Sequence, residues 1–317
     1  MMSLNSLRST SQWLVYIPVL IAIHCLSSLS CFSQEESEES DFPPVPMESI
    51  RKLDAIRCID KIVVDGRIDE KSWEQIPWSV PFVDLISGKP TIHDTTVKVA
   101  WDNQHLYLAY LIEEPFVRAK FTERDSPIYQ DNDVEFFIAG EDGYYEFEIN
   151  AHGTIYEGLF VWQSNYASSG ISKIPELDKT LDSTRSQRFN GVGYKNHPRG
   201  LRWAFLDWDF PGLQSAVHID GTLNNDEDRD RGWTVELALP WQSLQVLNMS
   251  KPRSLPPNAG DIWRMDFSRF NQYKEAPQAE AEKSTDSGGW ALSYHGVWDS
   301  HIPECFPIVT FRDRPLP

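Results

Sequence analysis

Apolar and polar residues alternate along most of the chain, and few segments keep the three-to-four spacing of a helix. Val97, Val99 and Trp101 alternate with polar neighbours, Asp102-Asn103-Gln104 turns the chain, and residues 106–112 return beside them. A second hairpin is predicted over residues 133–139 and 144–150, joined by the turn Gly140-Glu141-Asp142-Gly143. Further strands are expected at 154–161, 216–220, 233–239, 263–269 and 308–311. Helical signals are confined to two short segments, 70–75 and, after Pro240, 241–244. Many short strands between turns, with eleven of the twelve Trp beyond residue 50, point to an all-β fold. Two antiparallel sheets packed face to face, in a jelly-roll-like β-sandwich, would bury that pattern. No repeat or internal boundary interrupts residues 51–317, which are expected to form one domain, with a Pro-rich loop at 252–261 and a polar loop at 272–289.

Two segments precede that domain. Residues 13–26 are apolar, follow Arg8 and lead into small residues ending at Ser33, so 1–33 reads as a signal peptide cleaved between Ser30 and Ser33. No later segment is apolar and long enough to span a bilayer, so no membrane association is expected after cleavage. Residues 34–50 carry Glu35, Glu36, Glu38, Glu39, Asp41 and Glu48 with three prolines and no basic residue, and read as a solvated acidic linker. Residues 51–317 hold 28 Lys and Arg against 41 Asp and Glu, a formal charge of −13. Such a surface repels nucleic acid and anionic lipid and suits a neutral or cationic ligand. Two cysteines remain beyond the leader, Cys58 and Cys305, near the two ends of the domain. In an oxidising compartment a disulfide between them would tie the terminal strands, the alternative being two buried thiols.

The second hairpin carries the chemistry. Val134, Phe136 and Ile138 share one face with Tyr145, Phe147 and Ile149, which leaves Asp133, Glu135, Glu146, Glu148 and Asn150 on the other. Like charges side by side cost stability, so this face must be solvated or bridged by a ligand or cation. Tyr129 lies six residues before Glu135 at the mouth of the hairpin. A ring that stacks on the apolar face of a pyranose and a carboxylate that accepts from its hydroxyls form a sugar site. A second ring is sought in Trp290, Tyr294 and Trp298, which follow a polar loop. A glycosidase pair, Glu135 with Glu148, would need an apolar pocket to keep one acid protonated, and an open sheet face would not supply it. Asp226, Asp228 and Asp230 alternate as calcium ligands do, although Arg231 and Leu237 stand where an EF-hand requires Gly and Glu. No Gly-x-Ser-x-Gly motif supports nucleophilic catalysis.

The order of several segments resembles family 9 carbohydrate-binding modules, first known as appendages of xylanases. They are Val64-Asp65-Gly66-Arg67-Ile68-Asp69-Glu70 with Trp73, residues 96–101 with 106–108, 131–138, 145–150, 232–241, 263–269 and 301–304. The resemblance implies a β-sandwich that holds a terminal sugar of an oligo- or polysaccharide between two rings, aided by a Glu and amides. It sets Tyr129 on one stacking position and Glu135 on the sugar-contacting Glu. Leu292 stands where relatives often show Trp, and Pro307 where they show Gly. The expected protein is secreted, monomeric and non-catalytic, an accessory to carbohydrate breakdown binding through Tyr129, Glu135, Glu148, Asn150, Trp290 and Trp298. It requires no cofactor, with calcium as a structural option. The wider superfamily includes haem proteins, for which Met265 with His218 or His301 would be the ligand pair.

Overall fold

The hairpin forms in the register that its alternation requires. In the computed structural model, which describes residues 42–273 and 285–315, Val134, Phe136 and Ile138 pair with Ile149, Phe147 and Tyr145. The strands in chain order are β1 (Lys52–Arg57), β2 (Val83–Asp84), β3 (Thr95–Trp101), β4 (His105–Glu113), β5 (Asp133–Ala139), β6 (Gly143–Asn150) and β7 (Ile155–Trp162). They continue as β8 (Gln187–Phe189), β9 (Arg202–Phe205), β10 (Gln214–Asp220), β11 (Gly232–Pro240), β12 (Ile262–Phe270), β13 (Gly289–Ala291) and β14 (Ile308–Arg312). The helical segments are short: α1 (Lys71–Gln75), α2 (Gln163–Tyr166) and a 3-10 stretch, Trp241–Asn248. None of the described helices is long and apolar enough to cross a membrane.

Hydrogen bonds link the strands in the order β10-β11-β4-β3-β1-β14-β12-β5-β6-β7-β9-β8, with β13 and β2 branching from β12. The path curls so that its two halves face each other. Val99, Leu108 and Tyr110 from one half share a core with Phe136, Phe147 and Phe267 from the other. The Tyr110 hydroxyl crosses between them to donate to the Glu135 carbonyl at 2.8 Å. Each such side chain, taken fully out of water, contributes about 1.5 to 3 kcal/mol. The sandwich is therefore as expected, but its sheet is mixed, because β1 pairs in parallel with both β14 and β3. The hairpin end is pinned by contact: a Cβ at Gly140 would lie 2.2 Å from the Leu247 carbonyl oxygen, so the 3-10 stretch can seat on the turn only where there is no side chain.

That parallel pairing corrects the disulfide. The first and last strands are neighbours, but Lys52 aligns with Ile308, so Cys58 lies beyond one end of the pair and Cys305 before the other. Six residues of strand separate them along β1 alone, about 20 Å, against the 4.4 to 6.8 Å between Cα atoms that a disulfide spans. Both are free thiols. Cys305 packs with Val45, Ile50 and Ile302, while Cys58 sits against a separate cluster around Trp73. Burial pushes the Cys58 thiol up to about 12. Thiol labelling of denatured, unreduced protein is expected to find both cysteines reactive, and Cys58 slow in the native state; labelling of neither would restore the disulfide.

The linker also ends earlier than expected. The domain takes in residues from Phe42 onward: Phe42 packs on the rings of Tyr194 and His197, and Val45 and Ile50 are buried. Three apolar residues among the prolines give this stretch something to bury, which its acidic composition concealed. The expected signal peptide, the first part of the linker and residues 274–284 of the polar loop lie outside the described residues.

Candidate functional site

The outward face of β5, β6, β7 and β12 follows from their register. Glu135 is opposite Glu148 on β6 and Ser268 on β12, and Glu148 is in turn opposite Tyr156 on β7. One row further along, Glu146 lies between Phe137 and Gly158. This face is covered, against the expectation of an open one. Phe137, Tyr144, Phe160, Trp162 and Ala204 form a second apolar cluster on it, with Phe189 from β8 packed against them. Where that cover stops, a cavity of about 380 Å³ remains, with Glu135, Glu146 and Glu148 in its wall. Tyr129, Tyr156, Phe189 and Trp298 line it as well.

Two of these rings are half exposed. Tyr129 is 47 % exposed and Trp298 40 %, each held by one edge-on neighbour, Tyr156 at 6.0 Å and Phe270 at 5.0 Å. The carboxylates, by contrast, are almost wholly buried. Ser268 Oγ donates to Glu135 Oε2 at 2.9 Å, and the backbone N–H of Phe270 donates to Asp133 Oδ1 at 3.1 Å. Glu148 Oε2 and Asp133 Oδ2 are buried with no hydrogen-bond partner. Burial, reinforced by repulsion among the acids, holds Asp133, Glu146 and Glu148 well above the ordinary carboxylate range. Glu135 is raised to about 8, chiefly by burial and then by Asp266. His301 Nε2 approaches Glu146 Oε1 at 3.4 Å, yet burial lowers the imidazole to about 4, so it is neutral at pH 7.

Of the residues singled out from the sequence, Tyr129, Glu135, Glu148 and Trp298 meet at this cavity. Trp290 does not. It is fully buried in the core, stacked on Tyr273 and covered by the Arg269 guanidinium at 4.7 Å, because β13 pairs it into the sheet beside Arg269. Asn150 is also displaced from the proposed role. Its amide donates to the Phe121 carbonyl at 2.9 Å and its oxygen accepts from the N–H groups of His152 and Thr154, so its polar atoms hold the turn after β6.

Asp226, Asp228 and Asp230 do not converge. Asp226 pairs with Arg118 at 2.7 Å, Asp228 accepts from Thr222 Oγ1, and Asp230 turns inward to accept from the N–H groups of Val117 and Thr222. Each carboxylate is already satisfied by protein, so this loop does not fit a calcium ion. Among the described residues, the one set of three acids with oxygens mutually within 4.8 Å is Asp133, Glu135 and Glu148. The haem pair is not assembled either. Met265 lies in the core opposite Ile138, whereas His301 lies on the outward face and His218 on the outward side of β10 beside Thr234.

Sequence reasoning missed the cover: Tyr156, Phe160, Phe189, Val192 and Leu206. One signal was present. In β7, Leu159 to Trp162 is apolar at every position, the mark of a strand buried on both faces.

Residues 87–174 match the model of carbohydrate-binding family 9, a span that holds the hairpin, Tyr129 and the acidic face. The match bears out the resemblance read from the sequence. No curated protein matches the chain. Among solved structures, a candidate carbohydrate-binding protein from Bacteroides uniformis aligns over 83 % of this chain and 100 % of its own, at 15 % identity and a TM-score of 0.52, and shares the fold. A family 9 carbohydrate-binding module from Caldicellulosiruptor kristjanssonii, solved with glucose, aligns over 84 % of this chain and 97 % of its own, at 13 % identity and a TM-score of 0.44. The cellotriose complex of a family 9 module from that organism aligns over 83 % and 95 %, at 13 % identity and a TM-score of 0.44.

Proposed function

We propose that this family 9-like chain is a secreted, non-catalytic sugar-binding protein, a monomer that serves the breakdown of an oligo- or polysaccharide. A terminal sugar enters the cavity and stacks on Tyr129 and Trp298 while Glu135 and Glu148 accept from its hydroxyls. The observation that carries this reading is the meeting of two half-exposed rings and two buried acids at one cavity. The leader at residues 1–33 supports secretion.

The acid pair argues for binding rather than hydrolysis. Glycoside cleavage by two carboxyl groups requires one ionised partner and one protonated partner. Glu135 and Glu148 are both displaced upward, so neither is held as the ionised base.

Isothermal calorimetry with glucose, cellobiose and xylobiose tests the reading, together with a glycan array. Stacking plus a few hydrogen bonds to a solvated ligand is expected to give micromolar to millimolar affinity, about 4 to 8 kcal/mol. Tyr129→Ala and Trp298→Ala should each weaken binding at least tenfold, about 1.4 kcal/mol, without unfolding the protein, since both rings are half exposed. No heat with any sugar and a blank array would overturn the assignment. Binding that ignores both substitutions would move the site elsewhere.

A further inference from the structure

We propose that the cavity selects an amino sugar, a pyranose bearing an ammonium group, over its neutral counterparts; this deepens the sugar-binding reading and rests on it. Glu135, Glu146 and Glu148 stand in the cavity wall, with Asp133 beside them on β5, and among the described residues no Lys or Arg lines the cavity. Asp299, a fourth acid in the lining, is already spent on the N–H groups of Val192, Gly193, Tyr194 and His301. His301 faces Glu146 as a neutral imidazole. His295 is occupied with the Asp299 carbonyl and Asp266. The buried guanidinium of Arg202 stacks on Phe189 and Trp162, outside the lining. Among the described residues, no Lys or Arg in the lining is thus left to balance these acids once they ionise.

A neutral hydroxyl can donate one hydrogen bond to such a wall but cannot balance an ionised acid, so the acids keep their protons beside a neutral sugar. An ammonium brings three donors and a positive charge. Glu148 Oε2, a buried acceptor in the cavity wall without a partner, is available to it. The faces of Tyr129, Tyr156 and Trp298 add cation–π attraction to the stacking that any pyranose would gain. In the free protein, protons retained by the raised carboxyl groups neutralise the wall. An entering ammonium displaces them, so positive charge enters with the ligand and leaves as protons to solvent.

Calorimetry on the full protein near neutral pH, with glucosamine, N-acetylglucosamine and glucose in two buffers of different ionisation heat, tests this. Glucosamine is expected to bind at least tenfold more tightly than either neutral sugar, with buffer-dependent heats that report proton release. Glu146→Gln, at a wall acid that makes no contact with the sugar hydroxyls in this reading, should shrink that preference while retaining affinity for glucose. Equal affinity for the three sugars overturns the proposal and leaves the sugar-binding reading intact, whereas no binding of any of them removes both. Stoichiometric calcium binding that abolishes the glucosamine preference assigns the acids to a metal and also overturns it.

Discussion

Arg269→Met is expected to lower the free energy of unfolding by about 3 to 5 kcal/mol, the cost of leaving one member of a buried ion pair without its partner. Arg269 is fully buried on β12, and its Nη2 lies 3.3 Å from Glu114 Oε2. Its Nη1 donates to Thr95 Oγ1 at 2.9 Å and to the Glu113 carbonyl at 3.0 Å, which ties β12 to β3 and β4 across the sandwich. Glu114 in turn accepts from Trp233 Nε1 at 2.7 Å and from the amides of Asn132 and Asn271. Met roughly fills the aliphatic volume but strands Glu114 in a site whose burial already raises its carboxyl. The double variant Arg269→Met/Glu114→Gln should recover part of the loss, since the amide keeps an acceptor without a charge to desolvate. Denaturant unfolding measures both. A loss below about 1 kcal/mol in the single variant, or strictly additive losses in the double, would show that the pair does not act as a unit.

This network explains why Trp290 was misread. Its strand, Gly289–Ala291, is too short for alternation to register, and it follows a polar stretch, so sequence pattern alone left its exposure open. What buries it is Arg269, a residue whose charge argues for solvent until Glu114 is seen beside it. Trp298, eight residues later and outside any strand, kept the exposure expected of it. The longer strands β3, β5, β6 and β10 to β12 were legible because each satisfies a two-residue period over many positions, which neighbours cannot easily override, and β4 and β7 because each holds a continuous apolar run. Parity along β5 and β6 likewise placed the four acids on one face before any contact was known. What lies over that face was not legible. β8 and β9 are three and four residues long and reach β7 only through pairings distant in sequence. The same limit applies to Cys58 and Cys305, since adjacency of the terminal strands was readable but their parallel direction was not.

The covered acids make stability depend on pH in an unusual direction. Between pH 6.5 and 8 the melting temperature of the unliganded protein should fall, and Glu135→Gln should flatten the fall and be more stable than the wild type at pH 8. In the folded state Glu135 keeps its proton up to about 8, whereas once unfolded it releases it near 4.5. The folded state therefore holds more protons across that window, and a rising pH favours unfolding. The stabilisation is present in full below about 4.5 and lost as pH rises through about 8. Asp133, Glu146 and Glu148 are displaced in the same direction, as are Glu157 and Glu236, each raised to about 7 mainly by burial. His301 opposes them: lowered to about 4, it adds stability as pH rises from there to its ordinary value of 6.5, so the fall emerges above that point. A shift of 3.5 units corresponds to at most about 5 kcal/mol, shared among acids that titrate together. The overall charge of −18 adds a background slope through self-repulsion, and the comparison with Glu135→Gln removes it because the two proteins differ at one titrating group. Thermal melts in matched buffers from pH 5 to 8.5 decide the matter. A curve that is flat or rises through this range, with Glu135→Gln parallel to the wild type, would mean that the acids are already ionised and compensated in the free protein.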